Sequence, residues 1–139
     1  MPDGVERIVP KPALELFDRL GGSAERQQVI QAVAEAMAFA RAQGLPLEKL
    51  VDTLGKGAGS SWYFVHRAPN MIRNSFPPGF RVRLHAKDLK ICHDMAAHFG
   101  VELPVVERML GEYAELIARG YGDEDISAAF RLKAELFPS

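Results

Sequence analysis

Five consecutive small residues, Gly57-Ala58-Gly59-Ser60-Ser61, stand immediately before a stretch with helical apolar spacing. Backbone amides left free at a helix start, with the positive end of the helix dipole behind them, hold a carboxylate or phosphate well. The same residues equally suit the end of one helix and the cap of the next, because Gly and Ser are favoured at both places for local reasons. Spacing alone leaves both readings open. A nucleotide phosphate loop is excluded, since no strand-like run precedes the turn and no Gly-Lys-Ser/Thr closes it.

Lys87, in His85-Ala86-Lys87-Asp88-Leu89, falls in the first turn of an expected helix, where a cation opposes the dipole. A charge in an unfavourable place points to a ligand, although a solvated lysine stem explains it as simply. Asp88 beside it restores the favourable sign. His85, His93 and His98 with Cys92 and Asp94 are the right types for a metal site, but no two of these histidines are three or four apart. Their side chains diverge around a helix, so no metal is expected. Members of a Ser-His-Asp or Cys-His relay meet in space rather than in sequence, so spacing assigns no catalytic residue. Trp62, Tyr63 and Phe64 read as core or interface, with no basic interleaving to suggest a base-stacking surface.

The elements that must carry these residues are helical. Pro, Gly and mixed charge make Met1 to Pro12 an irregular arm before a short helix at Ala13 to Leu20, and Gly21-Gly22 ends it. Ser23 can cap a long helix whose apolar positions Val29, Ile30, Val33, Met37 and Ala40 recur until Gly44. Leu47, Leu50, Val51 and Leu54 stripe a third, ending at Gly55. Helical spacing resumes from Ser60 to Arg67. Pro69 is expected to interrupt it, with a short turn at Asn70 to Asn74 leading into Pro77-Pro78-Gly79. Leu84, Leu89, Cys92, Ala96 and Phe99 mark the next helix before Gly100. Pro104 starts another, through Val105, Met109, Tyr113, Leu116 and Ile117, and Asp125 can cap a last one through Ala128, Phe130, Leu132 and Leu136. The expected fold is all-α, with about seven helices and short connections.

The bulk numbers fit. A chain of 139 residues, 47% hydrophobic and 25% charged, is one ordinary globular domain. A net charge of -1 offers no field for nucleic acid or an anionic membrane, so neither is an expected partner. The single cysteine, Cys92, excludes an intramolecular disulfide and reads as a small buried apolar residue, compatible with a reducing compartment. With no secretory pattern at the N-terminus and no apolar run of ~20 residues, the expected location is the cytoplasm.

Taken in order, several local motifs carry a family likeness. They are Glu35-Ala36, Ala42-Gln43-Gly44-Leu45, the Gly57 to Ser61 turn and the Phe76-Pro77-Pro78-Gly79-Phe80 corner. Lys87-Asp88-Leu89, Gly100-Val101-Glu102-Leu103-Pro104, Gly120 to Gly122 and Asp125-Ile126-Ser127-Ala128 follow. From Gln28 to Phe137 the chain resembles the C-terminal helical domain of the β-hydroxyacid dehydrogenases, the family of 3-hydroxyisobutyrate dehydrogenase and tartronate semialdehyde reductase. The resemblance implies a bundle similar to the 6-phosphogluconate dehydrogenase C-terminal domain, over residues 23–139 after an arm at 1–22. It also implies a homodimer built through the long helix, a small hydroxy- or oxo-acid substrate, and NAD or NADP held mainly by a separate Rossmann domain. By the same likeness Lys87 and Phe80 face the nicotinamide end of the cofactor, with Gly59, Ser60 and Ser61 close by.

The chain departs from the family in two ways. No G-x-G-x-x-G follows a strand-like run, so the dinucleotide-binding half is missing. The family's acid/base lysine is missing too. Counting back from Glu35 reaches Arg19, whose guanidinium does not surrender a proton near neutral pH; a second alignment matches Lys11-Pro12 through Leu20-Gly21-Gly22 to the end of a Rossmann domain, and also lacks the lysine. The resemblance therefore implies a dehydrogenase domain inactive by itself. The alternatives are an oligomerisation or small-anion-binding module, and a subunit that completes a separately encoded Rossmann chain.

Overall fold

The computed structural model describes residues 28–138. Expectations for the N-terminal arm, the short helix at Ala13 to Leu20, Arg19 and the Ser23 cap lie outside them. Helix α1 covers residues 28–42. It is followed by α2 (Leu47–Leu54), α3 (Trp62–Arg73), α4 (Val82–Ala97) and α5 (Pro104–Ala118). A 3-10 turn (Ile126–Ala128) leads into α6 (Ala129–Ala134). Among the described residues there is no strand, only an isolated antiparallel bridge between Arg81 and Asp125. The fold is all-α, as the apolar periodicity requires.

Four helices stop by one device. After α1, α4 and α5 the chain turns through Gly44, Gly100 and Gly120 with φ of 70°, 68° and 90°. In each case the next residue's N–H reaches back five residues: Leu45 to Ala40 O, Val101 to Ala96 O and Tyr121 to Leu116 O. This left-handed termination satisfies carbonyls that the helix would otherwise orphan. Asn74 does the same for α3 at φ 51°, with Ser75 N–H on Asn70 O. Asn tolerates that conformation better than most side chains.

The core is made where α1, α3, α4, α5 and α6 converge. Ile30, Ala34, Met37, Met71, Leu89, Met109, Tyr113, Leu116 and Phe130 are buried together. Glu112 on α5 fastens this core to its neighbours, bonding Gln31 on α1 and Lys133 on α6, the latter at 2.8 Å. Lys133 is 2% exposed, so its charge is compensated by that carboxylate rather than by water.

Three boundaries differ from the sequence expectation. Pro69 lies inside α3 and does not interrupt it. Buried Ala68, Asn70 and Met71 on its flanks pack into the core, and that tertiary gain outweighs the ~3 kcal/mol a mid-helix proline costs. Helix α4 begins at Val82, so Lys87 is in its second turn, not its first. The cause is remote: Val82 and Arg83 N–H donate to Glu124 O and Gly122 O, both at 2.9 Å, so the later loop fixes where α4 starts. At the C-terminus α6 ends at Ala134, short of Leu136, which is exposed.

Candidate functional site

The Gly57 to Ser61 turn connects α2 to α3. Gly57 N–H bonds Leu54 O and Ser60 N–H bonds Gly57 O, while Ser61 Oγ accepts from Phe64 N–H at 3.0 Å. Ser61 is therefore the cap of α3, its hydroxyl oxygen accepting there. Gly59 is different. A Cβ built on it meets nothing within 4 Å and its φ is not positive, so nothing in the packing requires glycine there. The turn adjoins Trp62, whose indole is 64% exposed and stacks on His66 at 4.2 Å.

The Phe76-Pro77-Pro78-Gly79-Phe80 corner is organised by Asp125, which is fully buried. Asp125 Oδ1 accepts from Phe80 N–H at 2.9 Å; Oδ2 accepts from Ser127 N–H at 2.9 Å and Ser127 Oγ–H at 2.6 Å, and lies 3.2 Å from Arg67 Nε. Asn70 Nδ2 continues the chain to Ser127 Oγ. The backbone is stitched alongside, with Asp125 N–H on Phe76 O and Ile126 N–H on Phe80 O. A Cβ at Gly79 would lie 2.9 Å from both Arg67 Nη2 and Asp125 Oδ1, so only glycine lets the corner approach this pair.

Phe80 is thus held from three sides. Its amide and carbonyl are tied, and its half-buried ring rests on His85 at 5.1 Å between centroids. His85 is fully buried, with Nδ1 2.8 Å from Tyr113 Oη. Lys87, two residues further along α4, is exposed and has no hydrogen-bond or ion-pair partner among the described residues. The anchored aromatic and the exposed ammonium lie seven positions apart on the same stretch.

The remaining polar candidates have other occupations. His93 is bonded to Glu107 and His98 is exposed at the end of α4. Burial first, then the Asp88 charge, pushes the Cys92 thiol up, which suits an inert packed sulfhydryl. Among the described residues no cluster of three His, Cys, Asp or Glu side chains is arranged to hold a metal. No helix there is long and apolar enough to cross a membrane. A groove between α2 and α3 is lined by none of Gly59, Ser60, Ser61, Phe80 or Lys87.

Sequence reasoning gave Arg67 no role and read Asp125 as a helix cap within a family motif. The available signal was Gly79 itself, flanked by Pro78 and Phe80 where the chain must pass close to something.

The described residues form an all-α bundle with an anchored phenylalanine and an exposed lysine on its surface. Comparison with known proteins identifies it further. The family described as NAD-binding of NADP-dependent 3-hydroxyisobutyrate dehydrogenase matches residues 28–133. L-Threonate dehydrogenase of Escherichia coli strain K12 is 34% identical over 103 residues, which are 74% of this chain and 34% of that relative. The crystal structure of 3-hydroxyisobutyrate dehydrogenase from Salmonella typhimurium superposes with a TM-score of 0.71 at 30% identity, over 86% of this chain and 40% of that one. The Mycobacterium tuberculosis 3-hydroxyisobutyrate dehydrogenase solved with L-serine gives a TM-score of 0.65 at 28% identity, over 86% and 42%. The chain belongs to the 3-hydroxyisobutyrate dehydrogenase family, and it spans 34% of the length of the curated L-threonate dehydrogenase it matches.

Proposed function

We propose that this chain supplies the helical wall of an NAD(P)-dependent hydroxyacid dehydrogenase cleft, and that it turns over substrate only when a dinucleotide-binding domain completes the cleft. The observation that carries this reading is Lys87, an exposed lysine without a partner among the described residues, on the helix whose first turns also fix Phe80. An exposed cation and a rigid aromatic on one stretch are what a surface awaiting a cofactor end would offer.

The residues present fit such a group. Lys87 and Phe80 would meet the nicotinamide end, and the open space at Gly59, with Ser60 and Ser61 beside it, would admit a small acid's carboxylate. The bound cofactor would supply hydride transfer to or from the carbon bearing the hydroxyl. This chain's contribution is to orient that end, exclude water with the Phe80 ring and neutralise charge with Lys87. Among the described residues on this face, Lys87 is exposed and the neighbouring histidine, His85, is buried against Tyr113.

Calorimetric titration of the purified chain with NADH and NADPH, repeated with Lys87→Ala, tests the half-site. Heat that Lys87→Ala removes supports a working wall, and adding a separately produced dinucleotide-binding domain from a relative should then give oxidation of NADPH by a small oxo acid. Absence of binding up to millimolar cofactor, with no activity on mixing, would leave an oligomerisation or small-anion-binding module as the better reading.

A further inference from the structure

One guanidinium touches both parts of the candidate site. Arg67 Nε lies 3.2 Å from Asp125 Oδ2, and Nη2 lies so near Gly79 that a Cβ there would be 2.9 Å away. The same group also meets Trp62, with Cζ 5.1 Å from the centroid of the indole. That is within cation–π range. The indole is steadied by its own helix: it stacks on the His66 ring at 4.2 Å with 12° between the planes, and His66 Nδ1 is 2.8 Å from Trp62 O. Trp62 is the first residue of α3, directly after the Gly57 to Ser61 turn. From turn to corner the contacts are unbroken: Trp62 on Arg67, Arg67 on Asp125, and Asp125 Oδ1 on the Phe80 N–H at 2.9 Å.

We propose that Arg67 is a positioning residue that joins the turn to the Phe80 corner, so that the exposed Trp62 indole governs how firmly Phe80 is held. The residue type fits that task. A lysine would neutralise Asp125 as well, but an ammonium has neither a flat face for the indole nor a planar fork that reaches carboxylate and glycine together. The link is also shielded. The Arg67 side chain is 23% exposed and that of Asp125 is fully buried, so a shift of the guanidinium shifts its carboxylate instead of admitting water between them. The functional consequence rests on the cofactor-cleft reading above: ligand groups arriving at the turn and at Phe80 would meet one prearranged surface. Trp62 acts in this through Arg67, not by touching the ligand.

The test compares the wild-type chain with Trp62→Leu, Arg67→Lys and the double variant, by nuclear magnetic resonance and by NADPH calorimetry. The Phe80 amide proton reads the grip without any ligand, because its bond to a carboxylate holds the resonance downfield. Trp62→Leu changes an indole that is 64% exposed, so the fold should survive it. It should nonetheless move the Phe80 amide upfield and raise the NADPH dissociation constant by roughly two- to fivefold, the worth of a cation–π pair. Arg67→Lys should move the amide further and weaken NADPH by roughly tenfold, as expected for a lost charge-assisted bond. The double variant should match Arg67→Lys alone in both readouts, since Trp62 acts only through the guanidinium. A Phe80 amide unmoved by Trp62→Leu overturns the proposal. So do effects that add in the double variant, which would mean that the indole acts directly on Phe80 or on the ligand, or a moved amide with NADPH affinity unchanged. A wild-type chain that binds no NADPH while the amide shifts follow the expected pattern sinks the cofactor reading and leaves the link through Arg67 standing.

Discussion

Gly59 and Gly79 both sit in small-residue turns that stand out in the sequence, yet the fold treats them oppositely. A methyl group at Gly79 would collide with Arg67 and Asp125, whereas one at Gly59 would meet empty space. Around Gly79 every polar group has a use: Asp125 accepts from Phe80 and Ser127 and pairs with Arg67, and Asn70 joins through Ser127. Around Gly59 the turn is local and open, and Lys87, elsewhere on α4, has no partner among the described residues. Glycine at the corner is explained by folding; glycine in the turn has no packing reason. Saturated polar networks position, and unsaturated surface recognises.

The difference is broken most forcefully at Asp125. Asp125→Ala leaves the Arg67 guanidinium facing a cavity and strips the Phe80 and Ser127 amides of their acceptor, so urea denaturation should report a loss of about 3–5 kcal/mol. A loss below ~1 kcal/mol would mean that the corner is held by packing alone. Gly79→Ala comes next. The Arg67 terminus can shift, but Asp125 Oδ1 is pinned by Phe80 N–H, so the cost should be about 1–3 kcal/mol in the same assay.

Tyr63 sharpens the contrast by going the other way. Its hydroxyl is buried with no hydrogen-bond partner among the described residues, unlike that of Tyr113, which meets His85. Tyr63→Phe removes the unpaired group and should raise stability by roughly 1 kcal/mol. Burial first, then the Asp125 charge, pushes the Tyr63 phenol well above its ordinary value of 10.0. A group whose pKa is higher folded than unfolded contributes stability fully present below the unfolded pKa and lost as pH rises above it. Wild-type stability should therefore begin to fall near pH ~10, and the fall should be shallower in Tyr63→Phe. Equal slopes would place the alkaline transition elsewhere, with Tyr113 the next candidate because burial raises it too.

Local signals were the legible part of the sequence. Gly44, Gly100 and Gly120 end helices where expected, and Pro104 starts α5, because a left-handed turn or a fixed φ is decided by the residue itself. What depended on distant partners was not legible. The first turn of α4 is set by carbonyls of the 122–124 loop, about forty residues on, so Lys87 looked like a first-turn cation and is not one. Asp125 reaches Phe80 across 45 positions, which no periodicity records. Pro69 was misjudged for the same reason, since the burial of Ala68 and Met71 that carries α3 past it is tertiary. Within the candidate site the residue types were readable and their employment was not: Ser61 is spent on a cap, and Phe80 owes its place to a carboxylate taken only for a cap.

The smallest expected effect on stability is the one that decides whether Gly59 and Lys87 recognise anything. Gly59→Ala introduces a methyl group into open space at an ordinary φ, and Lys87→Ala removes an exposed, unpaired ammonium, so both should leave the urea midpoint within the ±0.5 kcal/mol usual for neutral surface changes. Alanine at 59 should even restrict the unfolded chain slightly, favouring the folded state. If the turn is only a connection, both variants are then silent in every assay. If it faces a cofactor and an acid, both lose NADPH affinity in calorimetry while melting like the wild type, a separation of binding from stability that no residue of the Asp125 corner can produce, because there the same contacts serve both.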